Sequence, residues 1–217
     1  MFLDRQDAGR ALARRLAHYA DHRDVLVLGV PRGGVPVAYE VALALEAPLD
    51  VVVVRKLGVP SQPELAMGAI ASGDAIYLNQ EVIALAGVRQ DQIDRVLHAE
   101  QAELRRREEL YRQGRKPLAV RGRTVIVVDD GMATGASLHA AAQALITLKP
   151  AKLVIAVPVA PADGEQRLGE TVDEFVAVET PEDFRAVGQF YRQFGQTSDD
   201  EVRELLAAAA KQHKSAA

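Results

Sequence analysis

The stretch Val125-Ile126-Val127-Val128-Asp129-Asp130-Gly131-Met132-Ala133-Thr134-Gly135-Ala136-Ser137 runs from a continuous β-branched segment, through two carboxylates and a glycine-bounded turn, into an Ala- and Leu-rich segment. A short apolar run without polar alternation is the pattern of a strand covered on both faces, as in a parallel sheet. Three more runs of this kind stand at residues 25–28, 51–54 and 153–157. Helical patterns lie between them. Residues 35–45 and 137–148 each open just after a glycine-containing turn and lead towards the next strand, as a strand-helix-strand unit requires. The chain therefore reads as α/β, with a central, mainly parallel sheet flanked by helices.

Working outward, residues 7–19 carry Leu12, Leu16 and Tyr19 at helical spacing, which predicts a helix covering one face of the sheet. Between the second and third main strands lies an excursion over residues 56–122, far longer than the usual connection of about 2 to 6 residues. Its first part, residues 57–72, holds Gly58, Pro60, Pro63 and Gly68 and predicts a mobile loop leading into a hairpin built from 67–71 and 75–78. Its last part, residues 90–113, predicts a charged helix with Ile93, Val96, Leu97 and Leu104 on one face. The run Arg105-Arg106-Arg107-Glu108-Glu109 near its end reads as a solvated face. After Pro161 come the aromatics Phe175, Phe184, Phe190, Tyr191 and Phe194, then a final helix marked by Val202, Leu205 and Leu206, and a frayed tail at 211–217. No repeat or low-complexity linker divides the chain. Residues 1–160 read as a core carrying the loop and helical insertion 56–122, and residues 161–217 as a C-terminal hood and helix of the same structural unit.

Composition bounds the function. In 217 residues, 48% are hydrophobic and 26 Lys+Arg stand against 30 Asp+Glu, which excludes the disordered and fibrous classes. A net charge of −4 provides no global basic field, and this argues against adsorption to nucleic acid or membrane. The absence of cysteine excludes a disulfide framework, a thiol nucleophile and Cys-ligated metal. Met1-Phe2-Leu3-Asp4-Arg5 is charged before any apolar stretch develops, and no run approaches the ~18 residues of a membrane span, so a cytoplasmic protein is expected. His18 and His22 have the i, i+4 spacing of two metal ligands, but no carboxylate pattern completes a site, and they read as cations near a helix end.

The quoted stretch has the chemistry of an anion cradle. Gly131 and Gly135 permit close backbone approach, the amides at the helix start point outward, and Thr134 and Ser137 add hydroxyls. Gly131, Met132, Ala133, Thr134, Gly135, Ala136 and Ser137 are thus the candidate phosphate site. Two carboxylates beside such a cradle want hydroxyl donors or a divalent cation. A ribose 5-phosphate supplies donors, its 2′ and 3′ hydroxyls bonding Asp129 and Asp130 with about 1.5 to 3 kcal/mol each. The alternative is that the pair merely begins a turn. The lysine of the P-loop, the Gly-x-Gly-x-x-Gly fingerprint and the last glycine of the Gly-x-Ser-x-Gly elbow are all absent.

This segment resembles the 5-phosphoribosyl 1-diphosphate (PRPP) loop of the type I phosphoribosyltransferases: four apolar residues, two acidic ones, and a turn ending Thr-Gly-x-Thr/Ser. The resemblance covers about residues 2–206 and is nearest to a branch of uncharacterised members with Pro-Arg-Gly-Gly early (31–34 here) and Asp-Asp-Gly-x-Ala-Thr-Gly late (129–135 here). It implies a type I phosphoribosyltransferase-like fold in which the turn at 29–35 is the pyrophosphate loop. Arg32, Gly33 and Gly34 would hold the diphosphate, joined by the strand-end cations Arg55 and Lys56. By themselves, a Gly-Gly turn suits a tight connection and a strand-end cation pair a solvated boundary. Residues 58–67 correspond in position to the family's flexible catalytic loop, where Glu64 reads as a solvated side chain. The implied activity is a pentosyltransferase of nucleotide metabolism. Pyrophosphate leaves PRPP as a nitrogenous base or amine attacks, with Arg32, Lys56, Asp129 and Asp130 as the catalytic group. Mg²⁺ would be held through substrate oxygens and water without a required protein ligand, Asp129 and Asp130 being the nearest candidates. Phe184 and Tyr191 offer an acceptor-stacking surface in the hood, or simply pack the hood onto the core. The resemblance is compatible with a homodimer and with small-molecule partners only. Two other readings use the same cradle: a non-catalytic sensor of PRPP or a nucleotide, and hydrolysis or phosphorolysis of a nucleotide.

Overall fold

The computed structural model describes residues 1–20, 22–117 and 119–216, with side chains through residue 212. In chain order the elements are α1 (Arg5–Arg15), β1 (Val25–Gly29), α2 (Gly34–Ala44), β2 (Leu49–Val51), β3 (Val54–Val59), β4 (Gln62–Ala71), β5 (Ala75–Leu78), α3 (Gln80–Leu85), α4 (Gln90–Arg112), β6 (Thr124–Val128), α5 (Ala136–Ile146), β7 (Lys152–Val159), α6 (Gly164–Leu168), β8 (Glu174–Glu179) and α7 (Asp199–Ala216). The main sheet has five strands in the order β2-β1-β6-β7-β8, every neighbouring pair parallel. Its centre is uniformly apolar because both faces are covered. Leu12 and Leu16 on or just after α1, with Val37 and Val41 of α2, bury Val25, Val27, Ile126 and Val154 on one side. Leu138, Ala142 and Leu145 of α5 bury Leu26, Val125, Val127 and Ile155 on the other. Each such side chain contributes roughly 1.5 to 3 kcal/mol when fully buried.

Two expectations change. The run 51–54 is not one strand. Val51 ends β2 in register with Gly29, Val52 N–H donates to the Gly29 carbonyl at 3.0 Å, and Val54 then pairs antiparallel with Ala71 as the start of β3. Residues 57–72, expected as a mobile loop, form the tight antiparallel pair β3-β4, which β5 extends to a three-stranded sheet. Glycine and proline mask a strand signal there: Leu57 and Val59 alternate inward, and Met67 and Ile70 join them in one cluster with Ile93 and Leu104 of α4 and Val202 and Leu206 of α7. Within the segment expected as a hood, β8 instead adds an edge to the main sheet, its charged ends Glu174 and Glu179 suiting an edge position. The tail expected to fray is helical through Ala216, and Ala217 lies outside the described residues.

The last turn of α4 is fastened by an ion pair. Arg112 is 5% exposed and Asp50, on β2, 7%. Nε of Arg112 donates to Asp50 Oδ1 at 3.1 Å, Nη2 donates to the Val51 carbonyl at 2.9 Å, and Nη1 pairs with Glu108. Buried charges persist where such hydrogen bonds satisfy them. No helix among the described residues is long and apolar enough to cross a membrane.

Candidate active site

Gly29 is in register with Val128, so the turns that follow β1 and β6 emerge side by side. Val30 N–H donates to the Val128 carbonyl at 2.8 Å and draws them together. The approach is close enough to demand glycine. A Cβ on Gly33 would run into the Asp130 carboxylate, and one on Gly34 would lie 2.6 Å from the Val128 carbonyl oxygen. Gly33 and Gly34 are thus the slot that receives the acidic turn. Gly34 N–H already donates to the Val30 carbonyl at 3.0 Å and Val35 N–H to the Arg32 carbonyl at 3.2 Å. The peptide between Pro31 and Arg32 is cis.

The cradle is narrower than residues 131–137. Met132 is buried and its N–H donates to the Val159 carbonyl at 2.8 Å, while Ala136 N–H reaches Thr134 Oγ1 at 3.3 Å. Gly131 lies beneath Val187, which a Cβ would approach to 2.5 Å. Among the described residues, the amides of Ala133, Thr134, Gly135 and Ser137 have no protein acceptor, and the Thr134 and Ser137 side chains are exposed beside them. Gly135, at φ 77°, turns the chain into α5 so that these amides precede or open the helix.

The two carboxylates differ sharply. Oδ2 of Asp130 accepts from Arg5 Nε at 2.9 Å and lies 2.8 Å from Nη2 in an ion pair. Arg5 Nη1 also donates to the Gly195 carbonyl at 2.6 Å, and its guanidinium lies 4.1 Å from the Phe194 ring centroid. The Tyr191 hydroxyl donates to the Asp130 carbonyl at 2.6 Å. The N-terminal helix and the segment before α7 therefore meet on Asp130. Asp129 makes no ion pair among the described residues, although the Arg5 charge also reaches it, and its Oδ1 accepts the Asp130 N–H at 2.8 Å. Burial, and then the Asp130 charge, hold its carboxyl well above the usual carboxylate range; burial lifts Asp130 too, with Arg5 pulling against it.

A stability prediction follows from that direction. A carboxyl raised in the folded state stabilises below its unfolded value of about 3.9, and this contribution is lost as pH rises through the folded value. Asp129→Asn, which keeps an oxygen for the Asp130 N–H, is expected to raise the melting temperature at pH 7, by about 2 to 4 °C per kcal/mol relieved. The gain should shrink as pH falls towards the unfolded value. Thermal melts across pH check it, and a lower melting temperature at neutral pH would overturn it.

Beside the two turns opens a cleft of about 370 Å³, walled by Val30 and Pro31, residues 52–56, Ser137, and Arg107 and Tyr111 of α4. Arg55, Lys56 and Ser137 are thereby brought together, with Arg32 next to the wall. Arg55 Nε donates to Glu100 at 2.6 Å and Arg107 Nε to Glu103 at 2.8 Å, and Lys56 is exposed. Arg32 Nη1 lies 4.0 Å from Asp199, the first residue of α7, which accepts the Tyr111 hydroxyl at 2.9 Å. Burial, reinforced by that bond, pushes the Tyr111 hydroxyl up to about 12, so it stays protonated at neutral pH. Tyr191 is a correction. Only 6% exposed, with Phe2 and Phe194 rings 5.5 and 4.9 Å away, it offers no open face for stacking an acceptor. Phe184 is half-buried and stacks on Phe190 at 5.7 Å. Glu64 is exposed on β4, and His18 lies 3.6 Å from Glu174. No group of three metal-ligating side chains occurs among the described residues.

The sequence by itself does not single out Arg5, Arg107, Tyr111 or Asp199 as site residues. For the α4 pair a signal existed: Arg107 stands three residues after Leu104 and four before Tyr111, so a cation lies on the stripe that the apolar residues mark as inward. For Arg5 and Asp199 there was none, because their partners are 125 and 88 residues away.

The sequence model of the phosphoribosyl transferase domain matches residues 3–194. Proteins from two strains of Mycobacterium tuberculosis, named provisionally as phosphoribosyl transferases, are 50% identical over 209 residues, covering 96% of this chain and 47% of their own length. The chain thus spans about half the length of the curated relatives it matches. The crystal structure of TT1426 from Thermus thermophilus superimposes with a TM-score of 0.86 at 43% identity, over 96% of this chain and 98% of that one. A hypothetical protein from Neisseria gonorrhoeae, crystallised with ppGpp bound, shares the fold with a TM-score of 0.52 at 15% identity, over 96% and 98% of the two chains.

Proposed function

Because the chain belongs to the phosphoribosyl transferase domain family, we propose that it transfers the 5-phosphoribosyl group of PRPP to a nitrogen of a base or amine. The observation that carries this reading is the adjacency of two anion sites of different character. One is a cradle of unpaired amides and hydroxyls around Thr134 and Ser137; the other is a cleft reached by Arg55, Lys56 and Arg107, with Arg32 at its edge. Ser137 borders both. A ligand carrying a monophosphate and a diphosphate on one ribose matches that division, whereas a simple nucleoside monophosphate leaves the cationic cleft without a purpose.

In the proposed reaction the bond from the anomeric carbon to the diphosphate oxygen breaks, its electron pair leaving with pyrophosphate. A bond forms from the acceptor nitrogen to the same carbon, and the nitrogen's proton passes to solvent. The chain's contribution is positioning and charge. The amides hold the 5-phosphate, Asp129 accepts hydrogen bonds from ribose hydroxyls near the carbon where positive charge develops, and Arg32, Lys56 and their neighbours take up the charge of the departing diphosphate. With Asp130 bound to Arg5, Asp129 is the carboxylate better able to accept a hydroxyl. The donor set suits Mg²⁺, which prefers few protein carboxylates and many substrate and water oxygens. Asp129 and Asp130 are the residues that would hold it, and when bound the ion would neutralise diphosphate charge. The two turns follow the carboxyl ends of parallel strands, the usual location for ligands in open α/β sheets, which supports the reading. Phe184, at the hood side, remains the acceptor-stacking candidate.

Screening free bases and small amines for Mg²⁺-dependent pyrophosphate release from PRPP tests the proposal. Release with at least one acceptor is expected. If every acceptor is silent while PRPP binding is intact, the non-catalytic sensor becomes the better account; absence of PRPP binding would remove both.

A further inference from the structure

Arg107 belongs by sequence to a run of solvated charges, yet it shares the inward stripe of α4 with Leu104 and Tyr111 and borders the cleft with Arg55 and Lys56. We infer that Arg107 contacts the diphosphate of the substrate, a cation delivered by the insertion and not by either phosphate turn. This rests on the transferase reading above and adds a residue to it.

Its tether is built for release. Glu103 accepts from Arg107 Nε at 2.8 Å, but Arg106 holds both oxygens of the same carboxylate, at 2.8 and 2.9 Å. When Arg107 turns to an anion in the cleft, Glu103 keeps a bidentate partner. The pair is only partly exposed, and its release is offset by the bidentate bond that Glu103 keeps with Arg106. Arg32, one residue beyond the Pro31 wall of the cleft, is held in the same manner. Its 4.0 Å approach to Asp199 is long, and Asp199 retains the Tyr111 hydroxyl without it. Arg107 at the cleft and Arg32 beside its wall thus each rest on a carboxylate that has a second partner. The element beneath Arg107 is rigid, since the buried Arg112 fastens the end of α4 to Asp50 and Val51. A planar guanidinium can engage two phosphate oxygens at once, which a solvated lysine at that position cannot reproduce.

Calorimetric titration of inorganic pyrophosphate with Mg²⁺, and separately of ribose 5-phosphate, tests this on the full chain and on Arg107→Met, Arg107→Lys and Arg106→Met. Pyrophosphate affinity should fall by about tenfold or more in Arg107→Met and less in Arg107→Lys. Arg106→Met, which removes an equal charge from the neighbouring position but leaves Glu103 to Arg107 alone, should lose clearly less affinity than Arg107→Met, and ribose 5-phosphate affinity should be unchanged in all three. Parental pyrophosphate affinity in Arg107→Met would overturn the inference, and so would equal losses in Arg107→Met and Arg106→Met, which report a general field. In both cases the parent chain's own binding of the two ligands leaves the proposed function standing. If the parent binds neither, the proposed function falls and this inference with it.

Discussion

Arg32→Ala and Lys56→Ala proteins are expected to bind ribose 5-phosphate as the parent does while losing PRPP-dependent turnover by about 10²- to 10³-fold, by analogy with removal of one preorganised donor from an oxyanion site. The asymmetry follows from position. Arg32 lies beside Pro31 at the wall of the cleft and Lys56 lines it, whereas the monophosphate cradle around Thr134 and Ser137 uses backbone amides that neither substitution touches. Contacts to a departing diphosphate strengthen as negative charge moves onto it, so turnover should suffer more than ground-state binding of PRPP. Both side chains are at least partly exposed, and folding should be unaffected. Calorimetry with the two ligands and a pyrophosphate-release assay measure the contrast. Normal PRPP affinity and turnover in both variants would mean that residues 29–35 form a structural connection only.

The largest expected loss of stability is at Arg112. Arg112→Met should destabilise the chain by about 3 to 5 kcal/mol, the usual result of removing one partner from a buried ion pair. Asp50 is buried with it, and the Val51 carbonyl loses a 2.9 Å donor at the same time. The double variant Asp50→Asn with Arg112→Met should recover part of that loss, because the amide can still accept the Val51 N–H that now bonds Asp50 Oδ1 at 2.8 Å without carrying a charge. Denaturant unfolding of the single and double variants measures both quantities. A loss below about 1 kcal/mol in the single variant would show that water reaches the pair and that α4 is held by its apolar stripe alone.

The local chemistry of the chain was enough to find the three central strands of the main sheet and the acidic turn. Runs of β-branched residues at 25–28, 125–128 and 153–157 mark strands covered on both faces wherever they occur, because no polar position is left to face water. Asp129 and Asp130 followed by Gly131 and Gly135 announce a strand-to-helix turn for equally local reasons. Other features depended on which segments meet in space. Whether Val51 and Val54 belong to one strand or two is decided by the partner each backbone finds, Gly29 for one and Ala71 for the other. Gly33 and Gly34 suggest a phosphate turn by composition, but the packing adds that they must be glycine to receive Asp130 and Val128. Tyr191 is aromatic in either setting, and only the surrounding rings turn it from a stacking platform into a packed side chain that bonds the acidic loop. The α/β class and the acidic phosphate turn were legible in residue order, since both rest on neighbours in the chain. Folding, and nothing in that order, settles that Arg5 neutralises Asp130, that Asp199 faces Arg32, and that Arg107 turns from the solvated run into the cleft. A charge takes its partner from whatever folding brings within a few ångströms, and no local pattern encodes that neighbour.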